Sequence, residues 1–584
     1  MPSTLLPLLL ALAAAPATEA PPAPELVLAG GALRTCSDLA PSACITPPAR
    51  AGARTMPRYL VDDGGASRAL DPRLWEGRPG APGRTMLLRL LSSARGAGPL
   101  GADDIEDRFA DVCLPPCRGD QDRPWRLLLD DERAALLSAL EIPQGTPEAR
   151  PREQAYLDQG RETAGVDVLR AFVESARRRS GGQPPRIAVV TASAIDPMDP
   201  VDFYLDAFRQ LGALPQWWPV DAALRDAIAA GDCRQLDTAR QRVLGLSGRD
   251  RIYADLGALQ WRACLAPDSL SALPAQVHGV FFAGGDQWRH RRAFFADDGT
   301  ALPWLLALRE AHARGGLVVG GTSAGTAVQA GAAMVSNGTP AQALRAGAIA
   351  RPPMDPGCGR AGRCADGLPE DTLTYWPDGG LGLLPGWTLD THFSERGREL
   401  RLLRLMHDAK VPLGAGVDET SALHFTREGK HWRVQALGAN GGWVFERLEP
   451  AAATMRARVH YLAPGAGLVV GESGVQLVAD EAFPAGERIA ARGAAGNGRQ
   501  AVAHEANGDD RGEHPPSASA PADALDDGAL RAAAARLAAG EDRVVLPAAG
   551  GTATLSRTAD TRTWRQAGAR AGASHLILEW TPGD

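Results

Sequence analysis

At 584 residues the chain is too long for one hydrophobic core of ordinary size, so two or more domains are expected. Its 45% hydrophobic and 22% charged content is that of a folded globular protein. A net charge of −7 without a long basic run argues against nucleic-acid binding and polybasic membrane attachment.

Met1–Ala20 reads as a secretory signal peptide. A short apolar run, Leu5–Ala15, is followed by small residues at Ala17 and Ala20. About eleven mostly apolar residues are too few to span a bilayer as a helix, and no later stretch is long enough. A secreted or periplasmic protein is therefore expected, with no membrane partner after signal cleavage. Cysteine usage agrees. Of eight cysteines, Cys36 and Cys44, Cys113 and Cys117, and Cys358 and Cys364 are close in sequence; Cys233 and Cys264 remain. Local disulfides of undetermined connectivity are expected. Zinc is the alternative at Cys113-Leu-Pro-Pro-Cys117, but no second pair or histidine cluster nearby completes a four-ligand set.

Glu25–Gly31 reads as a buried strand ending in a glycine turn. Ala51–Gly182 is irregular and rich in Arg, Gly, Pro and Asp, with helical patches at Glu132–Leu140 and Val166–Arg177; it reads as an insertion or accessory region. Regular alternation begins at Arg186. Ile187–Ala192 is an apolar strand. Pro200–Leu211 has helical spacing, with Gly212 as its C-cap, and Trp217–Val220 is a short strand. Val277–Ala283 is the next strand, Trp304–Ala313 an amphipathic helix, and Leu317–Gly320 another strand. Strands separated by helices imply parallel pairing in a doubly wound α/β sheet, with ligands beyond the carboxyl ends of the strands. Leu413–Val417 is a further strand. His431–Leu437 and Gly442–Phe445 read as a hairpin around Ala439–Asn440–Gly441. From residue 451 a small β-rich C-terminal region is expected, with a linker over Arg492–Asp526, a helix over Leu530–Leu537 and a last strand over Ser574–Trp580.

Chemistry concentrates at the strand ends. Gly321–Thr322–Ser323–Ala324–Gly325 reads G-T-S-A-G between a strand and the helix-prone Thr326–Ala333, the pattern of a nucleophile elbow. A serine nucleophile needs a base and that base an orienting acid. His392 follows the apolar approach Trp387–Leu389, and Asp418 or Glu419 closes the strand at Leu413–Val417. The turn Ala283–Gly284–Gly285–Asp286–Gln287 ends another strand, so the N–H groups of Gly285 and Ala324 are candidates for an oxyanion hole.

In order along the chain stand F-F-A-G-G-D-Q at Phe281–Gln287, G-T-S-A-G at Gly321–Gly325, D-T-H-F-S-E-R-G-R at Asp390–Arg398 and G-A-G-V-D-E-T-S-A-L at Gly414–Leu423. Together they resemble the serine peptidase family of cyanophycinase and peptidase E, over about Arg186–Phe445 plus the first strand. The resemblance implies a flavodoxin-like sheet related to class I glutamine amidotransferases, within a peptidase domain spanning residues 21–450. It implies a Ser323–His392–Glu419 triad and no metal or organic cofactor. It places Asp286, Gln287, Asp390, Thr391, Arg396 and Arg398 on the substrate side, the arginines suited to bidentate carboxylate binding. Family members cleave next to aspartyl residues, and cyanophycinase releases β-Asp–Arg dipeptides. The resemblance is also compatible with a homodimer. The family pattern has Gln where this chain has Thr391, so specificity here is open. Two alternatives remain: an α/β-hydrolase-type esterase, whose acid would precede the histidine (Asp355 or Asp371), and a non-catalytic secreted binding protein. A glutamine amidotransferase is disfavoured because the elbow carries serine instead of cysteine.

Overall fold

The computed structural model describes residues 23–477 and 523–583, apart from 48, 51, 77–81, 120–121, 147–148, 472–473 and 566–570. The expected signal peptide and most of the expected linker lie outside the described residues.

Five short apolar runs form β1 (Glu25–Ala29), β2 (Arg186–Val190), β3 (Leu214–Trp217), β4 (Gly279–Phe282) and β5 (Val318–Thr322). They pair in parallel in the order β1-β5-β4-β2-β3. Alternate residues supply two faces. Val27, Val189, Phe281 and Val318 meet Leu169, Phe172 and Phe208 from the helices Ala164–Arg179 and Val201–Gln210. Leu26, Leu28, Val280, Phe282 and Val319 meet Phe294, Leu305 and Leu308 from Gln287–Phe294 and Pro303–Ala313. Burial on both sides explains why these strands read as continuous apolar runs. Phe172 packs tightly enough that a Cβ on Gly279 or Gly320 would lie 2.9 or 2.7 Å from its ring.

A small sheet follows, from β6 (Met334–Asn337), β7 (Ile349–Ala350) and β8 (Thr374–Trp376). Next come the parallel pair β9 (Trp387–Thr391) and β10 (Leu413–Val417), then β11 (Ser421–Glu428), β12 (His431–Gly438), β13 (Gly442–Ala451), β14 (Thr454–Leu462), β15 (Gly467–Gly471) and β16 (Gly474–Leu477). Last are β17 (Arg543–Ala548), β18 (Gly551–Ser556), β19 (Arg562–Arg565) and β20 (Ala571–Pro582). β11, β12, β15 and β16 extend the first sheet beyond β1 with antiparallel pairing, while β9, β10, β13, β14, β20, β18 and β17 form a second sheet, with β19 on β20.

Several expectations change. β12 and β13 are not a hairpin: they belong to different sheets, and residues 439–441 carry the chain between them. The third strand ends at Trp217 instead of beginning there. The expected boundary at residue 450 falls inside β13, whose partner β14 pairs in turn with β20 near the C-terminus. The region 51–182 divides. Tyr59, Leu74, Leu90, Phe109, Trp125, Leu136 and Leu140 form a core of their own, whereas Ala164–Arg179 belongs to the main sheet. All eight cysteines pair, Cys36–Cys44, Cys113–Cys117, Cys233–Cys264 and Cys358–Cys364, which leaves no free thiol for zinc at 113 and 117. Among the described residues no helix is long and apolar enough to cross a membrane.

Candidate active site

β5 delivers Ser323 at φ +51°, ψ −117°, a backbone conformation that non-glycine residues rarely take. The flanking glycines make the turn possible. A Cβ on Gly321 would lie 2.3 Å from the Gly325 carbonyl oxygen, and one on Gly325 would lie 2.1 Å from that of Phe282. The Ser323 N–H donates to the Ala29 carbonyl (3.0 Å), and the Thr326 hydroxyl to the same oxygen (2.7 Å), pinning the elbow to β1. The helix that follows is one turn, Ala324–Ala327, shorter than the expected Thr326–Ala333. The chain leaves it so that the Gly331 N–H can reach the Leu384 and Trp387 carbonyls.

His392 leaves β9, also at positive φ (+47°), with its N–H on the Gly30 carbonyl at 2.9 Å. Its Nε2 lies 2.9 Å from Ser323 Oγ and its Nδ1 2.8 Å from Glu419 Oε1. A carboxylate can only accept, so Nδ1 carries the proton and Nε2 is free to accept from serine. Gly31 (φ +114°) presses against the imidazole: a Cβ there would be 2.4 Å from both Cε1 and Nε2. Glu419 sits where the chain passes from β10 in one sheet to β11 in the other. Its N–H donates to Glu395 Oε2 (3.0 Å), and its Oε2 accepts from Arg34 Nη2 (3.3 Å).

Burial pushes the His392 pKa below the ordinary imidazole value, with the Arg396 and Arg398 charges adding, against the Glu419 hydrogen bond. Burial works to raise Glu419, but the His392 hydrogen bond and charge, with Arg34 and Arg396, hold it below the usual carboxylate value. The pair is thus a neutral imidazole beside a carboxylate at neutral pH, the state a general base requires.

The Gly284–Gly285 turn lies beside the serine, with a Cβ on Gly284 falling 3.5 Å from Ser323 Cβ. Ser193 fixes the turn. Its hydroxyl reaches the Ala283 and Gly284 carbonyls (3.0 and 2.7 Å), and its carbonyl accepts the Asp286 N–H (2.9 Å). Gly285 is exposed at φ +137°. Neither the Gly285 nor the Ala324 N–H bonds to another described residue.

The other expected residues divide. Asp286 caps the helix Gln287–Phe294 by accepting from the Trp288 N–H (2.7 Å), and Gln287 donates to the Val335 carbonyl (2.9 Å). Arg396 is exposed, and Arg398 donates to the Thr391 carbonyl (2.8 Å). Asp390 and Thr391 do not reach the open side. Asp390 is 2% exposed, its carboxylate gripped by Arg401 at 2.9 and 2.5 Å, and Thr391 is 4% exposed. The esterase acids are elsewhere in role, Asp371 accepting from the Thr339 hydroxyl (3.0 Å) while Glu419 holds Nδ1. Arg34 and Ser193 had no signal in the sequence, and Glu395 lay inside the motif Asp390–Arg398 without a role; Gly30 and Gly31 read as a turn with no hint that they hold the histidine.

No protein-family model matches the chain. Among curated proteins, the cyanophycinase of Synechococcus elongatus is 30% identical over 265 residues, which are 45% of this chain and 59% of that protein. The cyanophycinase of Thermosynechococcus vestitus matches equally. That of Geminocystis herdmanii is 25% identical over 264 residues, 45% of this chain and 70% of its own. The chain thus spans about three fifths of the first two relatives' length. Among solved structures, a peptidase from an acI-B1 Actinobacterium overlaps 54% of this chain and 91% of its own, at 15% identity and a TM-score of 0.27.

Proposed function

On the premise of this family-level similarity to the cyanophycinases, we propose that the protein is a serine-type peptidase that hydrolyses aspartyl peptides, with cyanophycin, cleaved to β-Asp–Arg dipeptides, as the leading substrate. The observation that carries the reading is the unbroken hydrogen-bond chain Ser323–His392–Glu419, at 2.9 and 2.8 Å. In this scheme His392 Nε2 takes the Ser323 proton as Oγ attacks the scissile carbonyl. Glu419 holds the tautomer and balances the imidazolium. The Gly285 and Ala324 N–H groups bind the oxyanion; His392 then protonates the leaving amine, and water releases the acyl group. Arg396, exposed beside His392, offers a guanidinium to a substrate carboxylate, which suits an aspartyl peptide.

The five parallel strands, β3-β2-β4-β5-β1, follow the flavodoxin order 2-1-3-4-5, with β1 taking fifth place from the start of the chain. The acid follows the histidine in sequence, the reverse of the α/β-hydrolase order, which supports the peptidase reading over an esterase. Four disulfides support action in an oxidising compartment after export. The test is mass spectrometry of products after incubation with purified cyanophycin, with Ser323→Ala alongside. β-Asp–Arg released by the native protein alone is expected. Equal release by both proteins would overturn the nucleophile, and release by neither would overturn the substrate.

A further inference from the structure

The C-terminal segment reaches the floor of the site. The helix Ala529–Ala538 and the residues before it lie against the turn Ser394–Arg396, which directly follows His392 and Phe393. The Gly528 N–H donates to the Ser394 carbonyl at 2.6 Å, and a Cβ on Gly397 would come within 2.1 Å of the Leu525 carbonyl. From this helix Arg531 Nη1 donates to two carboxylates at once, Glu395 Oε1 (2.5 Å) and Asp418 Oδ2 (2.8 Å). Each carboxylate spends its other oxygen across the site's two halves. Glu395 Oε2 accepts the Glu419 N–H at 3.0 Å, and Asp418 Oδ1 accepts the Ser394 N–H at 3.0 Å. One guanidinium nitrogen thus ties the loop after the histidine to the loop carrying the acid.

We propose that Arg531 is a positioning residue for the triad, holding Glu419 against His392 through Glu395 and Asp418; the inference rests on the serine-peptidase reading. The grouping is built for a cation. Asp418 is fully buried, and the Arg531 side chain is only 12% exposed. Burial, then the Glu395 charge, pushes Asp418 up to about 6 despite Arg531. Burial, with the Asp418 charge, pushes Glu399 up to about 8, and Asp527 is raised by burial and by Glu395. Without Arg531, Glu395 and Asp418 face each other and the acid side of the site without the cation they share. Toward His392 itself face Glu419, Arg396 and Arg398, and toward Glu419 also Arg34.

The test needs no peptide substrate. Native protein, Arg531→Met, Arg531→Lys and Glu395→Ala are labelled with a serine-directed fluorophosphonate across mildly acidic to mildly alkaline pH, with thermal melting alongside. Arg531→Met is expected to label roughly tenfold more slowly, because a small misplacement of the acid weakens the base. Its acid limb should move up by about half a unit to one unit, since uncompensated carboxylates favour the imidazolium. Arg531→Lys should recover most of the rate, as both bonds leave one nitrogen. Glu395→Ala should also be slow, but with its acid limb moved down, and it keeps the test intact should Arg531→Met fail to fold. An Arg531→Met rate and limb matching the native protein overturn the inference, as does a lowered melting temperature with an unchanged limb. A native protein that does not label removes the serine-peptidase reading and this inference with it.

Discussion

Ser323, His392 and Thr420 all take positive φ without being glycine, and Ala32 and Arg34 do so just beyond the Gly31 turn. Each such residue costs on the order of 1–3 kcal/mol, so their convergence on one spot marks strain held by the surrounding hydrogen bonds. Gly31→Ala should therefore abolish labelling of Ser323 without unfolding the protein, because its Cβ would overlap the imidazole; probe labelling compared with circular dichroism checks this. Glu419→Gln keeps the shape but favours the wrong tautomer, and a loss of roughly two to four orders of magnitude in kcat is expected from steady-state kinetics. The pH profile has a definite sign. His392 acts when neutral and its pKa is lowered, so activity should survive into mildly acidic pH and fall only as the pH drops below the ordinary imidazole value of 6.5. Arg398→Met should move that limb upward, because a positive charge that disfavours imidazolium is gone. The serine, histidine and acid were legible in the sequence because each sits in a short motif at a strand end. Arg34 and Arg531 were not, since they reach their carboxylates from positions 385 and 136 residues away.

At the scale of elements, local pattern succeeded where one strand's burial decides it and failed where topology does. β1, β2, β4 and β5 are apolar on both faces and were readable as such. The segments at β12 and β13 carry the alternation of paired strands around an Asn-Gly, the ordinary mark of a hairpin. They separate because Gly438 and Gly441 (φ +91° and +97°) let the chain press against Thr420 and Leu462, whose carbonyls would lie 2.3 and 2.1 Å from an added Cβ. The first strand depends on one charge group. Glu25 is buried and pairs with Arg178, Arg179 and His424 at 2.7–2.9 Å. Burial opposes its ionisation, but the His424 and Arg178 interactions hold its pKa far below the ordinary carboxylate range. A depressed carboxyl pKa contributes stability that is present above the unfolded value and lost as pH falls. Glu25→Gln should thus lower stability by about 1–3 kcal/mol near neutral pH, moderated by the half-exposed Arg178, and by less in acid; denaturant melts at the two pH values check it.

Over the whole molecule, the C-terminal residues complete the second sheet instead of forming a separate module. β20 covers the edge of β14, and Leu530, Leu537, Leu576 and Leu578 share one core with Phe393, Trp443 and Phe445. A chain ending before residue 523 would bare that strand edge and half of that core, and should be found in the insoluble fraction on expression. The accessory core over residues 59–140 joins the main sheet's side through Asp131–Arg289 (2.7 Å), and Glu141 just beyond it through Arg249 (2.6 Å), Arg289 lying on the helix Gln287–Phe294 that follows the Gly284–Gly285 turn.

On the proposed mechanism, the placement of Ser323, His392 and Glu419 across two sheets ties the chain's reactivity to the meeting of those sheets. Ser323 leaves the first sheet, His392 leaves the second, and Glu419 stands on the crossing between them. Neither sheet alone brings Ser323 to His392, so their contact needs both. The Ser323–His392–Glu419 contacts form only when one sheet has closed on the other. During refolding, probe labelling of Ser323 should lag the recovery of the far-ultraviolet signal and coincide with burial of Trp387, a second-sheet residue whose ring meets Phe425 of the first sheet at 5.5 Å.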